Sequence, residues 1–290
     1  MAMAAPRLDH VVHAVRDLDT ADAVFRHLGF VTTPRNLHSF GTGNHLVVFD
    51  ETFLELIGVV DDGKLQAPAA GSFSMGLHVA EFLADREGIA MICLKSPDCD
   101  ADAAALRAAG ITVHGPDEFF RTGEMPDGRL ADVRGRFMLF PNPATPRTSL
   151  FAFDHLSPEC FWRPEWQAHP NGARRVLKVV QTALEFGPIA DYYAGVFGPE
   201  RIERAGDQVI VKTGTAEFTV LTPDAIAAGY PEFALATGLP CSVALTLGVD
   251  DLDATARWFA ATGIHAQAIN GGLRIGPDQA CGNILDFTAG

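Results

Sequence analysis

The 290-residue chain is short of positive charge, of paired cysteines and of long apolar runs. Twenty-two Lys and Arg stand against thirty-six Asp and Glu, a formal net charge of −14. Binding a phosphate backbone needs a basic face, so nucleic acid is not an expected partner. The local group Arg174, Arg175 and Lys178 reads as solvated surface. No stretch approaches the ~20 consecutive apolar residues that cross a bilayer, which argues against a membrane role. The opening "MAMAAPRLDH" has neither the charged segment nor the apolar run of a secretion signal. Five cysteines (Cys93, Cys99, Cys160, Cys241, Cys281) form an odd, scattered set without a CxxC pair. Such a set reads as reduced thiols, and the expected location is cytoplasmic. G-x-S-x-G, P-loop, H-E-x-x-H and dinucleotide fingerprints are missing too.

What is present is repetition. Residues 8–15, "LDHVVHAV", read as a short apolar strand. "DLDTADAVFRHLGF" follows with Leu18, Ala21, Val24, Phe25 and Leu28 at helical spacing; Asp17 or Asp19 caps its start and Gly29 ends it. A polar stretch and the strands "HLVVFD" and "TFLELIGV" complete a unit of one strand, one helix and roughly three strands. The order recurs from "IAMICLKSPDCDADAAALRAAGI", from "RRVLKVVQTALEFGPIADYYAGVFG" and from "CSVALTLGVDDLDATARWFAATGI". Aligning "VRDLDTADAVFRHLG" with "VDDLDATARWFAATG" shows the repeat directly. Between units two and three lies "SPECFWRPEWQAHPNGA", a connection expected to be packed down by Phe161, Trp162 and Trp166. "FRTGEMPDGRLADVR" reads as a long loop that interrupts unit two and could cover a cavity.

Four such units resemble the vicinal oxygen chelate superfamily, which includes glyoxalases, extradiol dioxygenases and antibiotic-resistance proteins. "LDHVVHAVRDLDTADAVFRHLGF" looks like the first strand and helix of a module and "FLELIG" like its last strand. "HSFGTGNHLVVFDETFLELIG" with the later "HPNGA" is similar to large glyoxalase-like domain proteins. The resemblance implies an α+β fold of four βαβββ modules, paired into two cup-shaped, eight-stranded half-barrels. Modules 1 (about 7–60) and 2 (about 88–158) would occupy residues 1–158, a connector residues 159–173, and modules 3 and 4 residues 174–290.

Members that use a metal take one ligand from a module's first strand and a carboxylate from its last, which here are His10 and Glu55. The residues give independent support: both faces of "TFLELIGV" are apolar, so an ionised Glu55 there must be paired or bound to a cation. A position at the wet mouth of the cup, or a pairing with an arginine such as Arg35, would also accommodate it. Counting along the other modules gives Ile89, Arg175 and Ala244 for the histidine, and Asp154, about Thr219 and Asp286 for the acid. Only module 1 has both groups. A firmly held metal takes about three protein ligands. "FAFDH" offers Asp154 and His155 on opposite strand faces, and a slip of one register would swap them. On a strand, His10 shares a face with Leu8, Val12 and Ala14, while His13 points the other way.

The expected metal set is His10 and Glu55 with His155, or else Asp154, as the third ligand, and Glu55 or Asp154 is the expected proton shuttle. His38, Thr42, Asn44 and His169 are candidates to contact a small-molecule substrate. The leading function is a glyoxalase-like lyase or isomerase, in which a divalent zinc, nickel, manganese or iron ion is chelated by adjacent substrate oxygens. A non-haem iron dioxygenase and a metal-free binding cup, which the twenty phenylalanines also suit, are the alternatives. A homodimer is compatible with any of them.

Overall fold

Each unit starts with a strand that is apolar on both faces and so is driven to the middle of a sheet. In the computed structural model, which describes residues 2–4, 6–67, 73–233 and 240–290, β1 (Arg7–Ala14) is buried throughout except at Arg7. Helix α1 (Leu18–His27), β2 (Asn36–Leu37), β3 (Thr42–Val48) and β4 (Phe53–Val59) follow. The second unit is β5 (Gly88–Lys95), α3 (Cys99–Ala108), β6 (His114–Glu124), β7 (Leu130–Phe140) and β8 (Ser149–His155), preceded by α2 (Met75–Asp85). After α4 (Pro164–Gln167) comes the third unit: β9 (Ala173–Thr182), α5 (Phe186–Phe197), β10 (Ile202–Ala205), β11 (Gln208–Lys212) and β12 (Glu217–Leu221). Helix α6 (Pro223–Gly229) leads to the fourth: β13 (Ser242–Val249), α7 (Leu252–Thr262), β14 (Gln267–Ile269), β15 (Gly272–Ile275) and β16 (Ile284–Ala289).

The units pair as the family resemblance implies. One eight-stranded sheet runs β2-β3-β4-β1-β5-β8-β7-β6 and the other β10-β11-β12-β9-β13-β16-β15-β14. The first strands of paired modules lie antiparallel, β1 on β5 and β9 on β13, and each runs parallel to its own module's last strand. The fold is thus α+β with two cup-like halves. Aspartates start the helices: Asp17 accepts from Thr20 N–H at 2.7 Å, and Asp98 and Asp251 do the same for α3 and α7.

A single hydrophobic cluster joins the halves, combining Leu8, Val11 and Phe25 with Val176, Val179, Tyr193, Phe259 and Phe287. Each fully buried phenylalanine contributes roughly 1.5–3 kcal/mol. His13, on that outer face of β1, is fully buried and hydrogen-bonds Cys281 O at 2.7 Å across the joint. Phe161 and Trp166 are buried as expected of the connector.

Three expectations change. The stretch around 120–134 is no loop excursion but the tip of the long β6–β7 hairpin, paired from Glu124↔Leu130 inward. Residues 61–87, left outside the modules, contain α2, whose Val79 and Phe82 pack into the first cup beside Val12 and Met91. And β1 carries a bulge: Leu8 pairs with Leu94 and His10 with Cys93, leaving Asp9 without an opposite number on β5. The bulge turns Leu8 to the outer core, so His10 shares its face with Val12 and Ala14 but not with Leu8.

Candidate active site in the first cup

The first cup encloses a cavity of about 50 Å³. Its wall is largely aromatic, with Phe53, Phe119, Phe137, Phe151, Phe153 and Phe161 around His10, Glu55 and Arg121. Strand alternation sets this wall: Phe119 and Arg121 face in from β6, and Phe151, Phe153 and His155 from β8. His10 stacks on Phe53 with ring centres 4.2 Å apart and meets the edge of Phe151.

The bulge is what organises the histidines. Fully buried Asp9 accepts from His10 Nδ1 at 2.6 Å and from His155 Nε2 at 2.9 Å. Burial alone would raise the Asp9 carboxyl, but the neighbouring His155 charge and hydrogen bonds from both imidazoles hold it well below the ordinary carboxylate range. With its Nδ1–H donated to Asp9, a neutral His10 presents Nε2 as a lone pair. That nitrogen lies 3.6 Å from Glu55 Oε2. Glu55 Oε1 accepts from Asn44 Nδ2 at 2.5 Å, and Asn44 Oδ1 accepts from Asn36 Nδ2 at 3.1 Å. A polar line therefore runs His155–Asp9–His10–Glu55–Asn44–Asn36 across an otherwise apolar cup.

The other candidates take varied places. Asn44 and His38 line the cup. Burial pushes His38 down to about 4, and it is held neutral between Thr42 Oγ1 at 2.8 Å and Asn44 Nδ2 at 3.3 Å. Thr42 lies behind His38 rather than on the wall, so its contact is with the histidine and not with a ligand. His169 is also outside the wall. Its Nδ1 accepts from Val31 N–H at 3.0 Å and its Nε2 donates to Val48 O at 3.0 Å, which pins the connector to β3. Asp154 sits on the far face of β8, opposite Arg136 and away from the cup, because a strand alternates and the inward position belongs to His155.

His155 lines the cup, but its Nε2 is turned to Asp9, and among the described residues His10, Glu55 and His155 do not form a group with all three ligand atoms close together. Asp9, His10 and Cys93 do lie within ligand distance of one another. Burial, helped by the Asp9 charge, pushes the Cys93 thiol well above its ordinary value. The pair that fits an ion is His10 Nε2 and Glu55 Oε2: bonds of about 2.1 Å at tetrahedral angles separate two ligand atoms by about 3.4 Å. In the second cup Asp286 is taken by Arg274, at 2.7 and 2.8 Å, so no matching pair arises there.

Reading residue types alone missed Asp9 and Arg121. The acid directly before the ligand histidine in "LDHVVHAV" was a visible sign; the bulge that turns it inward was not.

Paired modules closing around a cup with histidine and carboxylate on neighbouring strands define a protein of the vicinal oxygen chelate type. The chain belongs to the family described as "Glyoxalase-like domain", whose model matches residues 8–197. No curated protein matches it. Solved structures share the fold at low identity. A hypothetical protein from Staphylococcus aureus is 15% identical with a TM-score of 0.70, over 98% of this chain and 99% of that one. A triple mutant of 4-hydroxymandelate synthase from Streptomyces coelicolor is 17% identical with a TM-score of 0.54, over 92% and 78%. A xylose isomerase-like TIM barrel/4-hydroxyphenylpyruvate dioxygenase fusion protein is 14% identical with a TM-score of 0.54, over 93% and 41%.

Proposed function

We propose that the chain is a glyoxalase-like enzyme that moves a proton on a small oxygen-bearing molecule in the first cup, as a lyase or isomerase, with a divalent cation held by His10 and Glu55. One observation carries the reading: the His10 Nε2 lone pair and Glu55 Oε2 face each other at 3.6 Å inside an aromatic wall. A bound zinc, nickel, manganese or iron ion would supply Lewis acidity to adjacent substrate oxygens. The remaining work belongs to the protein. Asp9 fixes the tautomer and direction of the His10 ring, as carboxylates do for ligand histidines. Asn44 holds Glu55 by Oε1 and aims Oε2 at His10 Nε2, and Oε2, when released from the ion, would exchange the proton with substrate. The phenylalanines exclude water and strengthen each of these interactions.

Chelator-treated protein titrated with Zn²⁺, Ni²⁺, Mn²⁺ or Fe²⁺ should take up about one equivalent of at least one of them, with the uptake lost in His10→Ala and Glu55→Gln. Less than about a tenth of an equivalent for every ion, unchanged by either substitution, would sink the metal-assisted reading and leave a metal-free binding cup. Oxygen consumption with the iron form would favour a ring-cleaving dioxygenase instead. That reading would need His155 as the second histidine, and its Nε2 is hydrogen-bonded to Asp9.

A further inference from the structure

The cup holds a cation that the proton-transfer reading does not use. Arg121, on β6, is 6% exposed and lines the cavity. Among the described residues it forms one hydrogen bond, Nη1 to Asn36 Oδ1 at 2.6 Å, and no carboxylate lies within ion-pair distance. Its other neighbours are the face of Phe161, 5.8 Å from the guanidinium carbon, and the more distant charge of Glu55. A guanidinium has five N–H donors, and taking it out of water costs several kcal/mol unless they are met. Room is kept for it. A Cβ on Gly123 would stand 2.5 Å from Arg121 Nη1, so the glycine lets the guanidinium lie flat against its own strand.

We infer that Arg121 is the anchor for a carboxylate on the substrate, and that the first cup takes small monoanionic acids with an apolar body. The inference rests on the first cup being the substrate site. Planar, two-pronged recognition of a carboxylate is what a guanidinium with free N–H groups does best. The seven phenylalanines that line the cup suit a ring or a short branched chain. The Glu55 and Asp9 charges in the same cup disfavour a dianion such as a phosphate ester. A purely structural role is the competing account. Arg121 and Asn36 belong to β6 and β2, the two edges of the first sheet, and their bond draws those edges together.

Benzoate and its neutral isostere benzamide separate these accounts in calorimetric titrations of the chelator-treated full chain. The wild type should bind benzoate at least about tenfold more tightly than benzamide, the size of one charge-assisted hydrogen-bond pair. Arg121→Met should bring the two within about twofold, and Arg121→Lys should keep part of the preference. Asn36→Ala, which breaks the edge contact but keeps the cation, should keep the full preference and guards against misfolding of the arginine variants. His10→Ala should also keep it, because the anchor is separate from the metal pair. The inference is overturned if the wild type binds neither probe or both equally, if Arg121→Met retains the preference, or if Asn36→Ala removes it. A preference lost in His10→Ala but not in Arg121→Met would place the anion at the other end of the cup and overturn it as well.

Discussion

Asp9 is the residue on which the site turns, because one buried carboxylate accepts from two imidazoles and orients both rings. In the neutral rings the proton is on Nδ1 of His10 and on Nε2 of His155, opposite tautomers imposed by one acceptor. Asp9→Asn keeps the shape but removes the charge and turns one acceptor oxygen into a donor. Nitrogen-15 ring shifts at pH 8 should show His10 mainly in the Nδ1–H form in the wild type and redistributed in the variant. Stability should fall by about 2–4 kcal/mol, and any metal affinity by about 10–100-fold. Unchanged ring shifts would mean that Asp9 does not control the tautomers. Glu55 was recognisable in the sequence as a lone acid in an apolar strand. Asp9 was not, because only a bulge places neighbouring side chains on one side of a strand.

At the scale of elements, the cup wall depends on how closely β7 and β8 pack. Gly135 on β7 lies under the ring of Phe153: a Cβ there would be 2.2 Å from Phe153 Cζ and 2.8 Å from Asp154 O. Gly135→Ala should therefore push the Phe153 ring into the cavity, destabilise the chain by about 1–3 kcal/mol and weaken benzoate binding without changing the circular dichroism of the sheets. Binding equal to the wild type would show that Phe153 is not part of the working wall. Strands and helices of all four modules could be read from apolar spacing and aspartate caps. The β6–β7 hairpin could not, since its Gly, Pro and charged tip carries loop composition while its inward side, Phe119 and Arg121, faces the cup.

Across the described residues of the whole molecule, burial lowers the pKa of His78 on α2 and lowers three histidines furthest: His13 at the joint between halves, His38 in the cup and His169 in the connector. Burial pushes each of these three down to about 4 from an ordinary 6.5. Between those values the unfolded chain binds protons that the folded chain does not. Their contribution to stability is therefore complete above pH 6.5 and is lost as the pH falls toward 4. Urea denaturation at a series of pH values should show stability falling across this window, and His169→Gln should reduce the slope by about a third. An unaltered slope would mean that His169 gains no charge on unfolding. No helix among the described residues is long and apolar enough to cross a membrane.

Periodicity, capping aspartates and the repeat of four units carry the strands, helices and modules, because these depend on spacing along a strand or helix, while the α+β pairing of modules and the choice of His10 and Glu55 came from the family resemblance of those repeats. Tertiary structure alone decided that Asp9 turns inward, that His155 meets Asp9 instead of Glu55, that Asp154 and His169 leave the cup, and that Arg121 enters it. Each of those outcomes depends on strand register, or on contacts between residues far apart in the chain. A shift of one residue in register reverses the face a side chain occupies without altering the local pattern that made the strand.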